Sequence, residues 1–107
     1  MMTLIQALLN TSRTIVAERT PQKAFMHASS ELGELAEELI IAEYGSYKDP
    51  GADGIVGEAI DTIISLVDVI YLTHPDVTEE ELLEVAEKKL AKWKASEEVR
   101  TERNKSM

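Results

Sequence analysis

Two sets of carboxylates recur at helical spacing. Glu31, Glu34 and Glu38 follow one another at intervals of three and four, and Glu58 and Asp61 stand three apart. His27 precedes Glu31 by one turn. Such intervals put side chains on adjacent turns of one helix face. If the two segments pack antiparallel, Glu31, Glu34, Glu58 and Asp61 converge. Four ionised carboxylates held together repel one another, more so when shielded from water, and a divalent cation removes that cost. An oxygen-only donor set suits Mg²⁺, with Mn²⁺ as a substitute, rather than zinc or copper. The plainer alternative is a solvated acidic face, since an isolated Glu-x-x-Glu is common on exposed helices. Two pairs on facing helices favour the site.

The elements that must position these residues read as helices. The first spans about 3–18, opening with Thr3 and Gln6 at capping-box spacing. Thr20-Pro21 is a start signal for a second helix over 21–44, whose apolar side carries Phe25, Ala28, Leu32, Leu35, Ala36 and Leu39. Residues 45–54 are dense in glycine, proline and aspartate and form a loop. The third helix covers about 55–72 and stops before His74-Pro75. Its polar side chains, Glu58, Asp61, Thr62, Ser65 and Asp68, share one narrow stripe, while the rest is apolar. That stripe is either the one side left to water or the wall of an internal polar site. Thr78 and Glu81 form a capping box for a fourth helix running through Leu82, Leu83, Leu90 and Trp93. The charged tail, 96–107, is expected to fray. The expected fold is all-α, a four-helix bundle-like single domain over 1–107 with its core at about 3–95.

Composition narrows the function classes. The chain has 107 residues, 44% of them hydrophobic and 29% charged, enough for one folded domain. It has no cysteine, which removes disulfides, zinc–cysteine sites, iron–sulfur clusters and thiol nucleophiles. Acids outnumber bases 20 to 11, for a net charge of −9. Between residues 24 and 87 stand sixteen acids and a single base, Lys48. So acidic a chain is a poor nucleic-acid binder. Three acids in the third helix argue against a membrane span. The first residues lack a basic leader and a sustained apolar run, so a cytoplasmic location is expected.

The segment Glu31-Leu32-Gly33-Glu34-Leu35-Ala36-Glu37-Glu38 resembles the Glu-Glu-x-x-Glu segment of MazG-type proteins, and Glu58-Ala59-Ile60-Asp61 resembles their Glu-x-x-Asp. The resemblance covers roughly 21–93. It implies an all-α nucleoside triphosphate pyrophosphohydrolase, which cleaves an NTP or dNTP between the α- and β-phosphates to a monophosphate and pyrophosphate. By that resemblance Glu31, Glu34, Glu58 and Asp61 hold Mg²⁺. The metal bridges phosphate oxygens and lowers the pKa of an attacking water, which one of the metal-site carboxylates orients. Ser30 stands where the family often has the first Glu of its Glu-Glu pair. Glu38, one turn beyond Glu34, is the candidate replacement, so Glu31, Glu34 and Glu38 are the catalytic candidates.

Substrate-binding candidates are Lys23 and His27, ahead of the acidic stripe, and Lys89, Lys92 and Trp93 on the fourth helix. The lysines would meet phosphates and Trp93 would stack on a base; their ordinary alternatives are helix-end charge balance and core packing. The apolar excess of the third helix points to association with another copy, as a dimer or tetramer, which the resemblance also implies. The competing function classes are a non-catalytic helical binding or regulatory module and a degenerate family member. Di-iron chemistry is disfavoured, because Glu-x-x-His does not occur.

Overall fold

The computed structural model describes residues 1–45, 51 and 54–106. Four helices follow in order: α1, Leu4–Thr14; α2, Pro21–Tyr44; α3, Gly54–Thr73; and α4, Glu79–Ser106. No strand occurs among the described residues. The chain divides into two compact units, Met1–Asp76 with α1, α2 and α3, and Val77–Met107 with α4.

Local chemistry sets most of the helix ends. Thr3 and Gln6 make the reciprocal capping box, with Gln6 N–H donating to Thr3 Oγ1 at 3.1 Å and Thr3 N–H to Gln6 Oε1 at 2.9 Å. Thr20 caps α2 by accepting from Lys23 N–H, and Pro21 occupies the first turn, where its missing N–H costs nothing. Thr78 caps α4 in the same way, accepting from Glu81 N–H. Gly45 closes α2 at φ 68° and Gly54 opens α3 at φ 63°, backbone conformations that side-chain-bearing residues resist. Between them the expected loop falls outside the described residues, apart from Gly51 and the two bounding glycines.

Two helix ends differ from the expectation. The first helix stops at Thr14 rather than near residue 18, and Arg19 folds back to donate to the Ser12, Ile15 and Ala17 carbonyls at and beyond its end at 3.1, 3.4 and 3.1 Å. No proline or glycine marks this stop. The last helix does not end near residue 96 but continues to Ser106. Its charged end is built from good helix formers, and the Glu97–Arg100 pair at 3.8 Å adds local support.

In the first unit α3 is the middle element: α2 packs along it and α1 packs against it. As the chain rises from Gly51 through α3, its partners fall back through α2 toward α1: Gly51 meets Glu38, Ser65 meets His27, and Asp68 meets Arg19. The α2–α3 pair is therefore antiparallel. The buried core of this unit is small: Leu9 from α1, Ala24 and Ala28 from α2, and Val67 from α3, joined by Ser12, Glu38 and Ser65. Burying one large aliphatic side chain stabilises by roughly 1.5–3 kcal/mol. Nevertheless α2 turns Phe25, Leu32 and Ile40 outward, at 59%, 56% and 55% exposed. The face of α2 read as its core side is thus split: Ala28 and Leu35 pack inward with the glutamates, while Phe25, Leu32 and Leu39 look away from α3. Of the acidic stripe, Glu38 is buried and Glu31 half-buried, while Glu34 is exposed.

Candidate metal centre

The antiparallel pairing brings Glu31 and Glu34 of α2 opposite Glu58 of α3. Each contributes a carboxylate oxygen to a group whose members lie within 4.8 Å of one another. Glu34 is exposed, whereas Glu31 and Glu58 are half-buried. Glu31 Oε2 and Glu58 Oε2 are shielded from solvent, with no hydrogen-bond partner among the described residues. A buried carboxylate oxygen without a donor is costly. The cost shows at Glu58, whose pKa is pushed up to about 7, first by burial and then by hydrogen bonding and charge from Glu34 and Glu31. Two orphaned oxygens converging with a third, solvent-facing carboxylate fit a hard divalent cation that keeps some of its own waters.

The other acids divide. Asp61, one turn further along α3, is half-buried and lies outside the group of three. Glu38 is buried, and its Oε1 accepts from Gly51 N–H at 2.7 Å. A methyl group on Gly51 would stand 2.6 Å from that oxygen, so the end of the Glu38 side chain would have to shift to admit one. Glu38 therefore anchors the start of α3's approach to α2 instead of joining Glu31, Glu34 and Glu58.

His27 links the cluster to a cleft. Its Nδ1 is hydrogen-bonded to Ser65 Oγ at 2.9 Å, and its Nε2 lies 3.6 Å from Glu31 Oε1. The cleft, about 490 Å³, is bounded by α1, the first turns of α2 and the second half of α3. Leu8, Ile15, Ala24 and Ile64 give it apolar walls, and Lys23 and His27 also line it, with His27 the nearer to Glu31. Arg19 and Asp68 also line it, joined by two bonds: Nε to Oδ2 at 2.7 Å and Nη2 to Oδ1 at 2.6 Å. The guanidinium holds the Asp68 carboxyl below its ordinary range, against the opposing effect of burial.

Sequence reasoning misses Arg19 and the bond from His27 to Ser65 as features of the site. The available signals are the continuation of the α3 stripe through Ser65 and Asp68, and a lone arginine just ahead of Thr20-Pro21. Lys89, Lys92 and Trp93 are exposed residues of α4, in the second unit. No helix among the described residues is long and apolar enough to cross a membrane. Compared with protein-family models, curated proteins and solved structures, the chain matches none.

Proposed function

We propose that the protein is a Mg²⁺-dependent nucleoside triphosphate pyrophosphohydrolase, converting an NTP or dNTP to the monophosphate and pyrophosphate. The observation that carries this reading is the pair of shielded, unpartnered oxygens on Glu31 and Glu58, facing Glu34. These three glutamates hold the cation, with Asp61 as the further candidate ligand from the next turn of α3. Magnesium, or manganese in its place, supplies a Lewis acid for phosphate oxygens and a water of lowered pKa.

The chain's own residues do the rest. The cleft beside the cluster is large enough for a nucleoside, and its walls suit the apolar faces of a base. Lys23 also lines the cleft, one turn before His27, and offers an ammonium group to a phosphate bound there. His27 is held by Ser65 and in turn orients Glu31. Glu34, the exposed carboxylate of the three, is the one available to steer a water. Lys89, Lys92 and Trp93 enter this reading through the family resemblance alone. The same reading has the chain self-associate and act on the nucleotide pool of the cytoplasm.

A second reading, a metal-binding module without turnover, is favoured by one observation: Glu38, the candidate replacement for the acid missing at Ser30, is committed to Gly51. A panel of NTPs and dNTPs incubated with Mg²⁺ separates the two. Turnover that EDTA abolishes, and that Glu34→Gln lowers roughly 100-fold or more, supports the hydrolase. Nucleotides left intact by a protein whose melting temperature still rises with Mg²⁺ support the module.

A further inference from the structure

We propose that the cleft beside the glutamates is selective for guanine, and that Glu18 reads the base by accepting from its N1–H and 2-amino groups. This rests on the reading of the cleft as the nucleoside site, and it says which nucleoside that site takes.

Apolar walls grip the face of any base, so identity has to be read at an edge. Most polar groups of the lining are already paired with one another. The Arg19 guanidinium spends every N–H, on both Asp68 oxygens and on the Ser12, Ile15 and Ala17 carbonyls. Asp68 takes a further hydrogen bond from the Ser12 side chain. Thr11 Oγ1 donates to the Ala7 carbonyl at 2.8 Å. His27 turns Nε2 toward the Glu31 carboxylate, which places the ring proton there and leaves Nδ1 to accept from Ser65 Oγ. Two charged side chains of the lining remain, Glu18 and Lys23. Both are exposed, and neither side chain has a hydrogen bond or ion pair among the described residues.

These two groups ask for opposite chemistry. Lys23 offers only donors and suits the phosphate of the proposed reading. The Glu18 carboxylate offers only acceptors, two oxygens side by side, and suits a pair of adjacent donors. Guanine alone among the common bases has that edge, with N1–H next to the 2-amino group. Adenine and cytosine set a ring nitrogen acceptor beside their amine, and uracil and thymine set carbonyls on both sides of their N–H. In each of these the second carboxylate oxygen faces another acceptor, which costs both groups their water without a bond in return. The remaining edge atom of guanine, O6, is an acceptor. The Glu18 and Arg19 backbone N–H groups, which lie between α1 and α2 outside any helix, are the donors of the lining that remain for it.

The test compares GTP with ITP, which lacks only the 2-amino group, and with ATP. Wild-type protein with Mg²⁺ should turn over GTP with kcat/KM roughly tenfold or more above either. Glu18→Ala should bring GTP and ITP to within about threefold of each other. Its melting temperature should stay that of wild type, since Glu18 is exposed and holds nothing in the fold. A second arm needs neither metal nor turnover: in EDTA, ligand-observed NMR titrations should show GMP binding more tightly than IMP, and Glu18→Ala should remove the difference. GMP preferred over IMP in a protein that hydrolyses no triphosphate upholds the guanine site and overturns the hydrolase reading. Hydrolysis at similar rates for GTP, ITP and ATP, or faster for another base, overturns guanine selection and leaves the hydrolase standing. Guanine preference that survives Glu18→Ala overturns the role of Glu18. GMP that fails to bind a protein without turnover overturns both the site and the reading it rests on.

Discussion

In the proposed reading a proton and a cation compete for the Glu58 oxygens. The ordinary carboxyl pKa of about 4.5 is raised to about 7 in the folded chain. The native state therefore binds this proton more tightly than the unfolded state does. The stability it contributes is present in full below pH 4.5 and is lost as pH climbs through 7. A cation reverses the demand, since it needs the carboxylate ionised. Without metal, wild-type protein should lose melting temperature between about pH 5 and 8 relative to Glu58→Gln, which has no proton to lose there. Magnesium should raise the wild-type melting temperature more at about pH 8 than at about pH 5.5. Parallel curves for the two proteins in thermal denaturation would contradict the account. The acids of this cluster were legible in the chain because helical spacing alone aligns Glu31 with Glu34 and marks Glu58. Which of them meet was not: Glu38 shares the stripe, but the chain returning to α3 delivers Gly51 to it. Glu38→Gln retains an acceptor for that N–H, so it should keep turnover within about threefold of wild type, whereas Glu34→Gln should lose it. Steady-state rates for the two variants check this, and equal losses would return Glu38 to the catalytic set.

At the scale of helices, caps and breaks were written locally and tertiary contacts were not. Thr20-Pro21 marks the start of α2 because the hydroxyl and the ring act within one turn. Past the end of α1, Arg19 bonds both the local carbonyls and Asp68, 49 residues on, and no proline or glycine marks the stop. Likewise, periodicity shows that α2 has an apolar side and an acidic side without showing which of them faces α3. The Arg19–Asp68 clip joins the segment after α1 to α3 and lines the cleft. Both side chains are largely covered, at 19% and 16% exposed. Asp68→Ala should cost about 1–2 kcal/mol in urea unfolding, since it also leaves the guanidinium bound only to carbonyls. Because the Asp68 carboxyl is held below its ordinary 3.8, its contribution is present above that pH and fades as pH falls through the lowered value. The difference between wild type and Asp68→Ala should accordingly shrink toward strong acid; a difference that persists there would mean packing, not the ion pair, is responsible.

The charge of the whole chain is unevenly held. Met1–Asp76 has twelve acids against four bases, and Val77–Met107 has eight against seven. The first unit therefore carries nearly all of the net charge, alongside a small core and a stripe of uncovered apolar residues. Self-repulsion and thin packing both weaken such a unit, and the cation of the proposed reading would offset the first of these. The all-helical class was legible from periodicity throughout. That α4 would belong to a separate unit was not, because its spacing is the same whatever it packs against. The most direct measurement of the central claim is a ³¹P NMR time course of wild-type protein with Mg²⁺ and an equimolar mixture of nucleoside triphosphates. The account predicts monophosphate and pyrophosphate signals growing together at the expense of triphosphate. Diphosphate with orthophosphate, or triphosphate signals unchanged, would contradict it.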